Sequence, residues 1–200
     1  LIGSVALLAV LTVRTSITAS YVNSDIPVEM IVYTQTSPDL KAIMTGIKEM
    51  GDRTGDGSRL PVRIDQTSGF TWPWSWYLRH YENVSYPTYN SESNTGDTTA
   101  KVILVHSKNY EAANKAYSTD YLEPKRIPHR WWFPEYTYRN VSIVRVLGSL
   151  ADFGAWNRLA SYWLNREGIA KNIGSEDSYL YTREGFPQLE LLSEDIRSDP

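Results

Sequence analysis

Lys101-Val102-Ile103-Leu104-Val105-His106-Ser107 decides the fold class. The aliphatic run Val102–Val105 reads as a strand, and Ser107 opens a short helix through Tyr117. The same alternation is found upstream. Pro61 to Asp65 reads as a strand, and Gln66 to Gly69 as a loop. Thr71 then starts a helix over Trp72-Pro73-Trp74-Ser75-Trp76-Tyr77-Leu78-Arg79-His80-Tyr81, with Pro73 confined to its first turn. Further back, Glu29 to Thr34 reads as a buried strand. Ser37-Pro38-Asp39 starts a helix whose Leu40, Ile43, Met44, Ile47 and Met50 keep one apolar face. Strands alternating with helices predict a three-layer α/β domain with a mainly parallel sheet.

Downstream the signals thin out. Tyr121 to Pro134 reads as irregular. Ser149 to Asp152 resembles a capping box. Leu150, Phe153, Trp156, Leu159, Ala160, Trp163 and Leu164 then follow at helical spacing, with Gly168 as the stop. Ser178 to Thr182 reads as a last strand, and Glu194 to Pro200 as a frayed tail.

Leu1 to Val13 is apolar apart from Ser4 and Thr12, and after Arg14 the chain turns polar. A spanning helix needs about 20 apolar residues, so this stretch is expected to be the end of a truncated transmembrane helix leaving the bilayer, with a buried core helix as the alternative. Residues 1–20 are expected to form that helix end and exit linker, and residues 21–200 one water-facing α/β domain. The net charge of −3 provides no field for nucleic acid, and no basic run occurs. Cysteine is absent, which excludes disulfides and thiolate metal sites. Seven Trp and fourteen Tyr are many for 200 residues, and they concentrate at Trp72–Tyr89 and Trp131–Tyr138. Such rings serve as core, as a sugar-stacking surface, or as a membrane-interface belt.

Ligands of a doubly wound sheet bind beyond the carboxyl ends of its strands. Thr34 to Ser37, Asp65 to Gly69 and His106-Ser107 fall at such ends. Asp65 is therefore either a ligand-holding carboxylate or a loop cap. Trp72, Trp76 and His80 share a helix face, and Arg79 and the Arg130-Trp131-Trp132 step set guanidinium groups beside rings. These groups suit either internal cation–π packing or a phosphate. His80, His106 and His129 lack zinc-site spacing. No GxSxG, P-loop or GxGxxG is present, so neither a metal nor a cofactor is expected. Asn83-Val84-Ser85 and Asn140-Val141-Ser142 match the glycosylation sequon.

Three segments carry a family resemblance: Glu29 to Asp39, Trp72 to Tyr81, and His129-Arg130-Trp131-Trp132-Phe133-Pro134-Glu135. In order and wording they resemble the C-terminal region of the flippase-activity-associated membrane proteins of archaea and green non-sulfur bacteria. Those proteins are similar to the polyprenyl-phosphate-mannose protein mannosyltransferases. The resemblance spans residues 14 to 190. It implies a preceding multi-helix membrane domain that holds the catalytic acid, so no catalytic residue carries over to this sequence.

The expected function is an extracytoplasmic accessory domain of a membrane-bound glycosyltransferase that uses a polyprenyl-phosphate-linked sugar. Expected partners are membrane lipid or the lipid-linked sugar, the N-terminal membrane domain, and other membrane subunits. Asp65, Trp72, Trp76, Arg79, His129, Arg130 and Trp131 are the candidate substrate-binding residues. The tryptophan-rich helix and the His129–Glu135 segment are expected to lie near each other on the membrane-proximal side. A non-catalytic sugar-binding or assembly module is the alternative. A hydrolase built on Asp65 and His106 is a third.

Overall fold

The computed structural model describes residues 1–89, 98–135, 139–167, 173–183 and 185–193. Among these, the helices are α1 (Ile2–Ile17), α2 (Asp39–Thr54), α3 (Thr71–Tyr77), α4 (Tyr110–Tyr117), α5 (Ile143–Leu150) and α6 (Phe153–Asn165). The strands are β1 (Gln35–Thr36), β2 (Val62–Ile64), β3 (Val84–Ser85), β4 (Val102–His106), β5 (Lys125–Trp132) and β6 (Gly174–Thr182). The chain divides into two units, one from Leu1–Ser37 and Arg130–Ser175, the other from Pro38–His129 and Glu176–Ser193.

The second unit is an α/β body around β4. Its sheet runs β5-β6-β4-β2-β3. β2 lies parallel to both β4 and β3, whereas β6 runs antiparallel to β4 with Leu104 opposite Leu180. The sheet is therefore mixed, which corrects the mainly parallel expectation. The reason is β6, which enters the sheet antiparallel to β4, and β1, which joins β5 antiparallel.

Successive residues of β4 face opposite sides of the sheet, and helices cover both. Val102 and Leu104 join Leu40, Ile43, Ile47 and Met50 of α2 and Phe70, Trp74 and Leu78 around α3. Ile103 and Val105 join Ala113 and Tyr117 of α4 with Tyr89, Tyr121 and Tyr181. Helix α2 forms where the apolar spacing predicted it. Asp39 occupies its first turn, and Gly55 ends it in the left-handed conformation at φ 77°. The tryptophan-rich helix is shorter than expected, ending at Tyr77. The Trp72–Pro73 peptide is cis, and Trp72 itself is extended, at ψ 130°.

Three expectations fail in instructive ways. Glu29 to Thr34 is not a strand. It is a series of turns, with Glu29 N donating to Ile26 O and Val32 N to Glu29 O. Met30, Ile31 and Tyr33 are exposed and Val32 alone of the four apolar residues is buried, so most of this run does not lie in the core. Only Gln35–Thr36 pairs, antiparallel to Trp131 and Arg130. Conversely, the segment read as irregular contains the eight-residue strand β5. Ile127, His129 and Trp131 alternate inward there. Pro128 is tolerated because β1 pairs only with residues 130 and 131, leaving that flank of Pro128 without a ladder bond. The helix expected from Ser149 is in fact two. Asp152 Oδ1 accepts from Gly154 N at 2.8 Å and starts α6, while α5 precedes it. The proposed stop at Gly168 and the tail Glu194–Pro200 lie outside the described residues.

In the first unit, α1 continues through a π-helical turn to Val22, and none of its residues is buried. Ile2–Val22 is long and apolar enough to cross a membrane. Close packing also fixes the edge of β6. A Cβ on Gly174 would lie 2.0 Å from Trp132 Nε1, so only glycine admits that ring.

The tyrosine cluster carries a pH prediction. Burial pushes the phenols of Tyr89 and Tyr181 well above the ordinary range; the Tyr117 hydroxyl, 3.0 Å from that of Tyr89, adds to the shift there. A raised folded pKa means that the unfolded chain loses its proton first. The contribution to stability is complete below the unfolded value of about 10 and is lost progressively above it. Alkaline titration should therefore show tyrosinate absorbance from these rings only together with loss of near-UV ellipticity. Their reversible ionisation near pH 10 in the folded state would contradict this.

Candidate functional site

The carboxyl ends of β2 and β4 bring Asp65 and His106 together, as their positions in the sequence suggested. Asp65 is fully buried. Its Oδ1 accepts from Thr67 N at 2.8 Å, and its Oδ2 accepts from His106 N at 3.1 Å and from Asn109 Nδ2 at 2.7 Å. Asn109 Nδ2 also reaches Thr67 Oγ1 at 2.8 Å. This carboxylate is a loop staple: it holds the Thr67–Gly69 turn, where Ser68 sits at φ 55°, against the start of the helical segment after β4.

His106 is equally committed. Its Nδ1 accepts the Lys108 backbone N–H at 3.0 Å, which places the ring proton on Nε2. That nitrogen donates to Glu176 Oε1 at 2.6 Å. Both ring nitrogens are occupied by the fold, so a general base acting on an external substrate would first have to break one of these bonds. The geometry disfavours a hydrolase centre here. Glu176 comes from β6, seventy positions along the chain from His106. No local spacing could have signalled that contact, whereas Asn109, three residues after His106, lies within reading distance.

The tryptophan-rich segment divides its rings between core and surface. Trp74 is buried. His129 is buried too, tilted against Phe70 at 4.3 Å and stacked near Trp74 at 6.4 Å between centroids. His129 is thus brought to α3, but as core and not as a surface ligand. Trp72 and Trp76 remain 59% and 56% exposed. The Arg79 guanidinium lies 4.4 Å from the Trp76 ring centroid, and its Nη1 donates to Trp76 O at 2.8 Å. Trp76 and Arg79 form an exposed aromatic–cationic pair. Trp72 is exposed too, but it is extended before the helix and the helix ends at Tyr77, so the expected helical face of Trp72, Trp76 and His80 is not formed.

Arg130 and Trp131 belong to the other unit. Trp131 is buried, its Nε1 donating to Asp25 O at 2.8 Å. Arg130 is half-buried opposite Thr36. Trp131 is therefore structural. The sequence reading overlooked a large exposed apolar surface on α5 and α6, although the helical spacing of its residues was visible. Among the described residues no group of three or more His, Asp or Glu side chains could hold a metal ion. Comparison with protein-family models, with curated proteins and with solved structures finds no match for this chain.

Proposed function

We propose that this chain is the extracytoplasmic accessory domain of a membrane-bound glycosyltransferase that uses a polyprenyl-phosphate-linked sugar. The observation that carries the reading is the exposed Trp76–Arg79 pair, with Trp72 exposed on the same segment. Trp72 and the face of Trp76 that Arg79 does not cover offer π-surfaces to a pyranose, and the N–H groups of Arg79 beyond its Nη1 bond to Trp76 O suit a phosphate. The apolar helix Ile2–Val22 supports a membrane location. On the resemblance of the tryptophan-rich segments, the transfer chemistry belongs to a membrane-embedded domain of the same protein. This domain would then orient the lipid-linked substrate.

Arg79→Lys tests the reading, because it keeps the charge and removes the planar fork. A charge-assisted hydrogen bond is worth about 1.5–3 kcal/mol. Sugar transfer by the membrane-bound protein from a polyprenyl-phosphate donor should therefore fall about 10- to 100-fold, with the thermal unfolding curve unchanged. Trp76→Ala should lower transfer as well. Unchanged transfer in both variants would leave the second reading, a sugar-binding or assembly module. That module is favoured by the occupied hydrogen bonds of Asp65 and His106, which offer no ready acid–base pair.

A further inference from the structure

We infer that α5 and α6 form a hairpin that lies in the headgroup–acyl boundary of a lipid bilayer, beside the spanning helix. In α5, Ile143, Val146, Leu147 and Leu150 share one side, and all are exposed. In α6, Phe153, Trp156, Trp163 and Leu164 keep the i, i+3, i+10, i+11 spacing of a single face, and all are exposed too, Phe153 at 91%. Arg158 and Asn165 occupy a different arc of α6, with Asn157 and Ser161 at the border of the apolar face. A water-facing surface does not normally carry so many contiguous large apolar groups.

The hairpin is held firmly by its other side. Tyr162 is buried, its hydroxyl donating to Val28 O at 3.1 Å and its ring 6.2 Å from that of Phe133. The exposed face is therefore not a frayed helix awaiting its own core. It is an oriented face on a fixed support.

What identifies lipid as the occupant is the position of the hairpin along α1. Arg14 is the first charged residue of α1, where its apolar run ends. The Arg14 guanidinium donates to Leu164 O at the C-terminal end of α6. If Ile2–Val13 lies in hydrocarbon, this bond fixes the end of α6 at headgroup depth. Amphipathic helices with Trp, Phe and Leu on one face and Arg on the other lie in that zone. Between the two helices a cleft of about 410 Å³ is walled by Val141, Val146, Leu150, Trp156 and Leu159, with Arg145 among its lining. That volume falls in the range of small-molecule sites. Its chemistry suits a hydrocarbon chain beside an anionic headgroup.

The inference rests on the membrane location in the functional reading, but not on sugar transfer, and one experiment separates the two. The chain has no cysteine, so single cysteines can be introduced and labelled one at a time. The membrane-bound protein, reconstituted in phosphatidylcholine–phosphatidylglycerol vesicles, would carry a fluorophore at Leu8→Cys, Leu147→Cys, Phe153→Cys or Arg158→Cys. Labels at 8, 147 and 153 should be quenched by doxyl-lipid and shielded from iodide. The label at 158, on the opposite arc of α6, should show the reverse. Iodide quenching at 147 and 153, with the label at 8 still in lipid, overturns the hairpin's placement alone. Shielding of 147 and 153 from both quenchers also overturns it, because a protein partner or a second copy then covers the face. A label at 8 open to iodide overturns the membrane location itself.

Discussion

Asp65→Ala is expected to destabilise the unit formed by residues 38–129 and 176–193 by about 2–6 kcal/mol, because Thr67 N and His106 N lose their acceptor together while Asn109 Nδ2 keeps only Thr67 Oγ1. Thr67 N, His106 N and Asn109 Nδ2 all converge on this one buried carboxylate. Each donor left unsatisfied costs about 1–3 kcal/mol, and burial limits replacement by water. Asp65→Asn should cost less, since its amide oxygen still accepts, whereas Asn109→Ala should cost about 1–2 kcal/mol, removing a single donor. Urea unfolding of the three variants would give this ranking. The same series separates staple from catalyst. A staple lowers stability and leaves the proposed sugar transfer by the folded protein intact. If Asp65→Asn abolished transfer at unchanged stability, Asp65 would be a ligand-handling group and the structural account would be wrong.

The second large effect is expected at Arg166, which follows the last turn of α6. Its Nε donates to Glu29 Oε1 at 2.7 Å, and Nη1 donates to Trp163 O at 2.8 Å and Tyr162 O at 3.1 Å. The guanidinium also lies 5.1 Å from the Tyr162 ring. Asn23 Nδ2 supplies a further donor to Glu29 at 3.0 Å. Both partners of the ion pair are largely buried, at 14% and 6% side-chain exposure. Removing one partner of such a pair leaves an uncompensated charge and costs about 3–5 kcal/mol. Arg166 stands at φ 61°, a conformation that costs an L-residue about 1–2 kcal/mol. Arg166→Gly should therefore be less harmful than Arg166→Ala, although both lose the same contacts. Hydrogen exchange in α6 is the suitable readout, because the loss should be local. Equal protection in Arg166→Ala and the parent chain would show that the pair contributes nothing.

Local chemistry made parts of this molecule legible before any coordinates. Val102–His106, Val62–Ile64 and α2 follow from aliphatic runs and from apolar spacing that repeats within a few residues. The apolar character of Ile2–Val13 and its end at Arg14 are likewise local. The Asp65 position at a strand end was legible, with loop cap among its readings, because an Asp followed by a turn captures nearby N–H groups. The Glu29–Thr34 run misled for the same reason that the others succeeded. Composition there is strand-like, yet a strand also needs a neighbour to take its hydrogen bonds, and apart from a Phe133 N bond to Val32 O the ladder reaches just Gln35 and Thr36 among the described residues.

The sequence by itself thus determined the α/β class, the apolar N-terminal helix and the concentration of aromatic residues. Tertiary structure alone decided which of those rings are core and which are surface. Trp74, Trp131 and His129 are buried, while Trp72 and Trp76 are not, although all stand in similar aromatic company along the chain. It also decided that the sheet is mixed, and that Glu176 meets His106. The physical reason is the same in each case. Helical spacing and strand composition are set by neighbours a few residues apart. Burial, strand direction and the partner of a buried imidazole are set by which distant segments win the competition to pack, and no window of sequence contains both sides of that competition.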